Sequence, residues 1–521
     1  MNKMKYIFGI IGCSALITSL FSSCSDDFFE AQMDDRISPH QHYNTKIDAE
    51  LSQLACYALL ANVAEGMVLV DGLRSDQLDV TANADNDMIA LNRHEKSNSN
   101  TYLDPSDFYK IILNVNEVLP NLQNILGKDR DFDSVAFKGA QGSLITLRSW
   151  TYYTLFKLYG KVSFMPTDIN TLDFSAAPVY ITDKNTLIDT LVNELLPFYD
   201  SLDINRYPID LYALIGELYL DKGEGYYAEA VKYLKLSLDG QHYNKTGLKG
   251  EFMMLTAASD KDDWAKIFVE PLQNQFNVGI EGLGYNLTAR TYVPYSIESG
   301  HKNNIEEWMH VDFNYMVKPT AALIDSFNNQ KPAAGTAIGD LYRGYKVSFD
   351  SSASGEVYVN KYSLPTQYLN SADIIIYRDS DLQLMLAEAL NRSGQSSVAL
   401  ILLNTGVKNA TPKPPGYSTT MWGRNLGVRG RVILKPNGVP VTIVSGDPYV
   451  EYVEDLIMNE RALELAFEGK RWFDLKRIAE RRSDPAYLLD RVCGKFDNPA
   501  DSIEVRNNIG SDMTKWYISL P

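Results

Sequence analysis

The sequence predicts a mainly α-helical fold in which tetratricopeptide-like helix pairs carry an irregular, loop-rich half with short strands. Three observations predict it. Apolar residues recur at helical spacing over 46–70, 108–125 and 137–159. Small residues stand at helix-hairpin positions in two segments, 208–240 and 381–407. Between residues 251 and 363 the helical period fails, and Gly, Asn, Tyr and Pro accumulate.

The first residues are an address label. Lys3 and Lys5 precede an apolar run over 6–20, and Phe21-Ser22-Ser23-Cys24 reads as a cleavage site that ends on cysteine. That run is too short to cross about 30 Å of hydrocarbon. A bacterial lipoprotein signal over 1–23 is expected, with Cys24 acylated and the mature chain held on a bilayer by its acyl chains. The acidic stretch Ser25-Asp26-Asp27-Phe28-Phe29-Glu30 begins a tether over 24–45.

The 521 residues carry 49 Lys+Arg against 66 Asp+Glu, a formal net charge of −17. Loss of the signal removes two lysines and no acid, which deepens the excess. Such a chain is repelled by phosphate backbones, so nucleic acid is not expected as a partner. With 45% hydrophobic residues the chain can bury a large core without metals or disulfides. After processing only Cys56 and Cys493 remain of the four cysteines besides the acylated Cys24. A disulfide between them is open, and two unpaired buried thiols are the expected case.

A first helix is expected over 46–70, with Leu51, Leu54, Ala55, Ala58 and Leu59 on one face. Residues 71–107 are polar and rich in Asn and Asp, which reads as a long loop. Helices follow over 108–125 and 137–159, the second stopped by Gly160. In 208–240, Leu214-Ile215-Gly216, Tyr219, Gly223, Ala230 and Leu234 stand at nearly tetratricopeptide spacing, and Leu386-Ala387-Glu388-Ala389, Gly394 and Ala399 form a looser second copy. Pro436-Asn437-Gly438 between two β-branched runs predicts a hairpin over 430–444. One long helix is expected over 449–482, with Arg461–Glu464, Glu468–Arg471 and Arg471–Asp474 as i,i+3 pairs. Glu464 and Glu468 are read as structural rather than catalytic.

Within that helix, residues 460–477 closely match the C-terminal signature ERxxELAFEGxRxFDLxR, and here the chain resembles the SusD/RagB family of Bacteroidetes surface lipoproteins. Cys24-Ser25-Asp26-Asp27-Phe28, Leu147-Arg148, Leu158-Tyr159-Gly160, Tyr377-Arg378 and Lys515-Trp516-Tyr517 resemble it too. The chain departs from the pattern at Phe108, Ser163-Phe164 and Thr405-Gly406-Val407-Lys408. The resemblance implies a single SusD-like domain over 24–521, with four tetratricopeptide-like pairs (46–250 and 364–521) and a loop-rich insert (251–363) that carries the ligand site. It also implies no catalytic activity, a place on the outer face of the outer membrane, and a SusC-like TonB-dependent transporter as partner. The ligand it implies is a glycan or, in RagB-like members, an oligopeptide.

A search for chemistry agrees. The chain has no HExxH, GxSxG, Walker or CxxC motif and no histidine spacing suited to a metal, so neither metal nor cofactor is expected. A surface glycoside hydrolase, which needs only two carboxylates, is the remaining enzymatic alternative. Sugar capture needs flat rings flanked by hydrogen-bonding groups. The candidates in irregular segments are Asp76, Asn83, Tyr102, Tyr285, Asn286, Arg290, Tyr292, Tyr295, Trp308, Tyr315, Tyr342 and Tyr345, with Trp308 first among them because Glu306 and Glu307 flank it.

Overall fold

Thr45 opens the scaffold. Its hydroxyl accepts from the Asp48 amide while the Asp48 carboxylate accepts from the Thr45 amide, a capping box that starts α1 (Lys46–Ala58). The computed structural model describes residues 43–96, 99–165, 179–199, 209–239, 268, 304–363, 374–413, 426–443 and 445–520. The signal peptide, Cys24, Tyr285, Asn286, Arg290, Tyr292 and Tyr295 lie outside them.

The expected single first helix is two. After a turn at Leu59–Leu60, which carries Leu60 into the core, α2 (Ala61–Arg74) follows. The expected loop over 71–107 holds structure as well: the end of α2, β1 (Leu78–Val80) and α3 (Asn86–Asn92). Its Asn and Asp residues are caps and cross-links. Asp85 accepts from the Met88 amide to start α3, and the Asn92 amide group donates to Asp79 at 2.9 Å.

The next helices form close to where the period places them. They are α4 (Ser106–Ile125) and α5 (Ser134–Tyr159), the latter capped by Asp133 and ended by Gly160 at φ +69°. β2 (Val162–Ser163) pairs antiparallel with β3 (Tyr180–Ile181), and α6 (Lys184–Leu195) leads on to α7 (Leu211–Lys222) and α8 (Tyr227–Asp239). α7 and α8 are the tetratricopeptide-like hairpin. A Cβ at Gly216 would lie 2.6 Å from Leu234, so glycine is what lets the two helices close.

The described part of the irregular region holds α9 (Ile305–Met309), β4 (Val317–Pro319), α10 (Ala321–Asn328), β5 (Phe349–Ser351) and β6 (Val357–Val359). β1 pairs antiparallel with β4, Leu78 opposite Pro319 and Val80 opposite Val317, and β5 pairs with β6. The second hairpin, α11 (Asp379–Arg392) with α12 (Ser396–Thr405), packs through α11 on α8.

No β-hairpin forms over the described residues of 430–444. Gly430 belongs to a short helix, Val428–Arg431, and Lys435 donates to the Lys331 carbonyl while Ile433 accepts from Ala333. Asn437 is clasped by the Asn404 side chain, so the first run binds another segment and the second has no strand to meet.

The long C-terminal helix is also two, α13 (Asp447–Glu464) and α14 (Arg471–Arg482), before α15 (Ala486–Cys493) and α16 (Pro499–Ile509). Phe467 at φ +65° and Gly469 at φ +72° turn the chain between α13 and α14. Phe467 is held there by its amide, which donates to the Gln77 side-chain oxygen, and its carbonyl, which accepts from the Tyr362 hydroxyl. α14 lacks a local side-chain cap, and Asp71 of α2 supplies one by accepting from the Arg471 and Trp472 amides at 3.0 and 2.8 Å. Burial, partly opposed by those bonds, pushes the Asp71 carboxyl up to about 7.

The turn redirects the three expected pairs, while Arg477 and Asp474 keep a local i,i+3 pair inside α14. The expected i,i+3 pairs give way to buried pairs across elements: Arg461 with Asp381 and Asp474, Glu464 with Arg343, Arg378 and Arg431, and Glu468 with Lys361 and Arg378. The structural reading of both glutamates stands on these contacts. Cys56 and Cys493 are free and buried, and burial pushes the Cys56 thiol up to about 12.

Candidate functional site

Where α2 passes the loop before α4, the chain leaves a cavity of about 340 Å³, within the size range of small-molecule pockets. Met67, Val63 and Val70 of α2, Phe108 of α4, Leu158 and Tyr159 of α5, and Ile518 form its apolar wall. Asn62, Glu65, Thr101, Asp104, Asp107 and Asn304 supply polar groups around it. Two sequence candidates, Tyr102 and Trp308, meet in this wall.

Tyr102 sits in a 3-10 turn, Thr101–Leu103, capped by the Asn100 side chain. Asp85 and Asp87 hold the turn: the Tyr102 hydroxyl donates to Asp85 at 2.7 Å, and the Thr101 amide and hydroxyl donate to Asp87 at 2.9 and 2.7 Å. Burial, and then the Asp85 bond, raise the Tyr102 phenol. The Thr101 bonds lower the Asp87 carboxyl. At the far end of the turn the Leu103 carbonyl accepts from Tyr159 at 3.0 Å.

Trp308 reaches the same place from α9. Glu65 accepts from the Asn304 amide at 2.7 Å and its side-chain amide at 3.2 Å, and the Asn304 carbonyl accepts from the Trp308 amide at 2.8 Å. Met316 then donates to the Trp308 carbonyl at 2.7 Å, joining α9 to the β1–β4 ribbon. Burial raises the Glu65 carboxyl, against the two Asn304 bonds. The indole is 9% exposed, so Trp308 packs in the core as well as lining the cavity.

Gly66 faces the cavity from the middle of α2, and a Cβ there would meet nothing within 4 Å. Glycine inside a helix costs about 0.5–1 kcal/mol relative to alanine. Here it leaves space open rather than allowing a close approach.

The other candidates lie apart. Asp76 is bound by Arg471 through two 2.8 Å bonds, a structural pair rather than a group free for ligand. Asn83 donates to the Asn314 and Tyr315 carbonyls, Tyr315 donates to the Val357 carbonyl, Tyr342 donates through its amide to Asp340, and Tyr345 is exposed beside Phe349. Sequence reasoning missed Glu65, Gly66 and Asn304. Glu65 and Gly66 lie inside a regular helix, where an interrupting glycine with no packing partner was the one available signal. Among the described residues no group of three His, Cys, Asp or Glu side chains is placed to hold a metal.

The SusD family model matches residues 351–517, which include the whole signature. SusD-like protein P38 of Formosa agariphila is 22% identical over 517 residues, covering 92% of each chain. A SusD superfamily protein from Bacteroides vulgatus superposes with a TM-score of 0.67 at 17% identity, covering 91% of this chain and 96% of that one. A SusD-like carbohydrate binding protein from Bacteroides fragilis does so with a TM-score of 0.57 at 14% identity, covering 84% and 87%.

Proposed function

Since the SusD family model matches residues 351–517 and a SusD-like relative aligns over 92% of the chain, we propose that it is a SusD-family, lipid-anchored protein of the outer-membrane surface. It captures an oligosaccharide and hands it to a SusC-like TonB-dependent transporter without catalysing a reaction. One observation carries the capture step: the cavity that joins two aromatic side chains, Tyr102 and Trp308, to a rim of amide and carboxylate groups. Sugars present C–H faces to rings and hydroxyls to polar groups, and this wall offers both. The Bacteroides fragilis relative described as carbohydrate binding favours glycan over oligopeptide. Cys24 is the proposed acylation site.

Purification from membranes in mild detergent tests the partner, and a large β-barrel should travel with the protein. Cys24→Ala should release the chain from membranes in lipid-labelled cells. Isothermal titration against oligosaccharides and oligopeptides tests the ligand. Binding of peptides alone would replace the glycan reading, and turnover of a bound oligosaccharide would replace the non-catalytic one.

A further inference from the structure

The charge of the cavity wall bears on what it admits. Among the described residues that line it are three carboxylates, Glu65, Asp104 and Asp107, and no lysine, arginine or histidine. Lys110 pairs with Asp107 at 2.7 Å and offsets that one. Among the described residues Glu65 is engaged by the neutral Asn304, and Asp104 accepts from the Ser106 amide and hydroxyl, with Lys110 the weakest of the influences on its carboxyl. Behind the Tyr102 turn stand two more acids, Asp85 and Asp87, bound to a phenol and to Thr101.

We infer that this cavity, if it is the capture site proposed above, selects glycans by charge: it takes neutral or amine-bearing oligosaccharides and turns away those that carry carboxylate or sulfate. An anionic group entering between Glu65 and Asp104 would lose its water next to like charges in a partly enclosed space, where they are weakly screened. No cationic side chain among the described lining residues would receive it. A neutral sugar avoids this repulsion and still finds acceptors for its hydroxyls in both carboxylates. An ammonium group gains an attraction as well. The chain's net charge of −17 acts in the same direction at longer range.

A glycan array holding neutral, amino, uronate, sialylated and sulfated oligosaccharides tests this with the wild-type protein and with Asp104→Asn and Glu65→Gln. The inference expects wild-type binding confined to neutral and amino members. For a bound backbone that the array also carries with acidic substituents, it expects the acidic form to bind at least about tenfold more weakly. Each substitution should narrow that gap severalfold. Asp104→Asn leaves the Glu65–Asn304 clasp untouched and serves as the readout if Glu65→Gln loosens α9. Wild-type binding of uronate, sialylated or sulfated members as tight as that of their neutral counterparts overturns the charge selection and leaves carbohydrate capture standing. A gap unchanged in Asp104→Asn and in folded Glu65→Gln overturns the assignment to these carboxylates. Binding of no member at all overturns the capture reading and this one with it.

Discussion

The Tyr102 and Trp308 rings meet edge to face, their planes at 88° and their centroids 5.8 Å apart, although they arrive from segments far apart in the chain. This is a favourable aromatic geometry. It fixes the shape of one cavity wall before any ligand arrives, which limits the ordering cost of binding.

Gly66 gives the cleanest test of that cavity. Because a Cβ there meets nothing within 4 Å and the residue lines the cavity, Gly66→Phe should direct a ring into the open space. Helix propensity should leave stability unchanged or raise it by about 0.5 kcal/mol. Oligosaccharide affinity should fall by tenfold or more. Titration and a melting curve on the variant read the two effects separately, and intact binding in a folded variant would move the site elsewhere.

Trp308→Ala should affect both properties, since the indole is nearly covered. Truncating a buried tryptophan costs about 3–5 kcal/mol, so the melting temperature should drop along with affinity. Tyr102→Phe keeps the ring and removes only the bond to Asp85, for about 1 kcal/mol of stability. Its affinity should stay within about threefold of wild type if the ring edge, and not the hydroxyl, meets the ligand.

Much of the scaffold was legible because its cause is local. Gly160 after an amphipathic run and Gly216 opposite Leu234 act within a helix or a hairpin, and the sequence carries both signals. The charged signature was legible as structure but not as geometry. Arg471 has Asp474 three residues away, yet its guanidinium forks onto Asp76 and its amide, with that of Trp472, binds Asp71. Both acids belong to a segment hundreds of residues earlier, and spacing says nothing about such partners. The break before α14 escaped notice for the same reason, since Phe467 holds its positive φ through Gln77 and Tyr362. In the site, Trp308 and Tyr102 could be named as aromatics in irregular segments. Their meeting could not, because Glu65 and Asn304 create it.

Asp76→Ala should separate scaffold from site. It strands the Arg471 guanidinium, which is nearly buried, and losing one partner of a buried pair costs about 3–5 kcal/mol. Burial opposes ionisation of Asp76, but Arg471 outweighs it and holds the carboxyl below its usual range. With the folded value depressed, the pair's contribution is present above the unfolded carboxyl's value near 3.9 and is lost as pH falls through the folded one. Denaturant melts should therefore show the gap between wild type and Asp76→Ala shrinking in acid. Ligand affinity, measured where both are folded, should not differ.

Lys476 gives a pH dependence of the same sign in a higher range. Its amine lies over the Tyr517 ring, 3.8 Å from Glu480 and close to Asp221, Lys184 and Arg74, and burial chiefly pushes it down to about 7. The folded chain thus releases this proton near pH 7, whereas an unfolded lysine keeps it until about 10.4. Between those values the unfolded state binds more protons, so this group makes stability rise with pH, by about 1.4 kcal/mol per unit at most. Lys476→Met retains the apolar stem and removes the titration. Its stability relative to wild type should be greatest below pH 7, and the advantage should decline toward pH 10. Denaturant titrations at pH 6, 8 and 9.5 measure the difference directly. A constant gap across the three would mean that Lys476 keeps its proton in the fold, stabilised by Glu480 and the Tyr517 ring despite its burial.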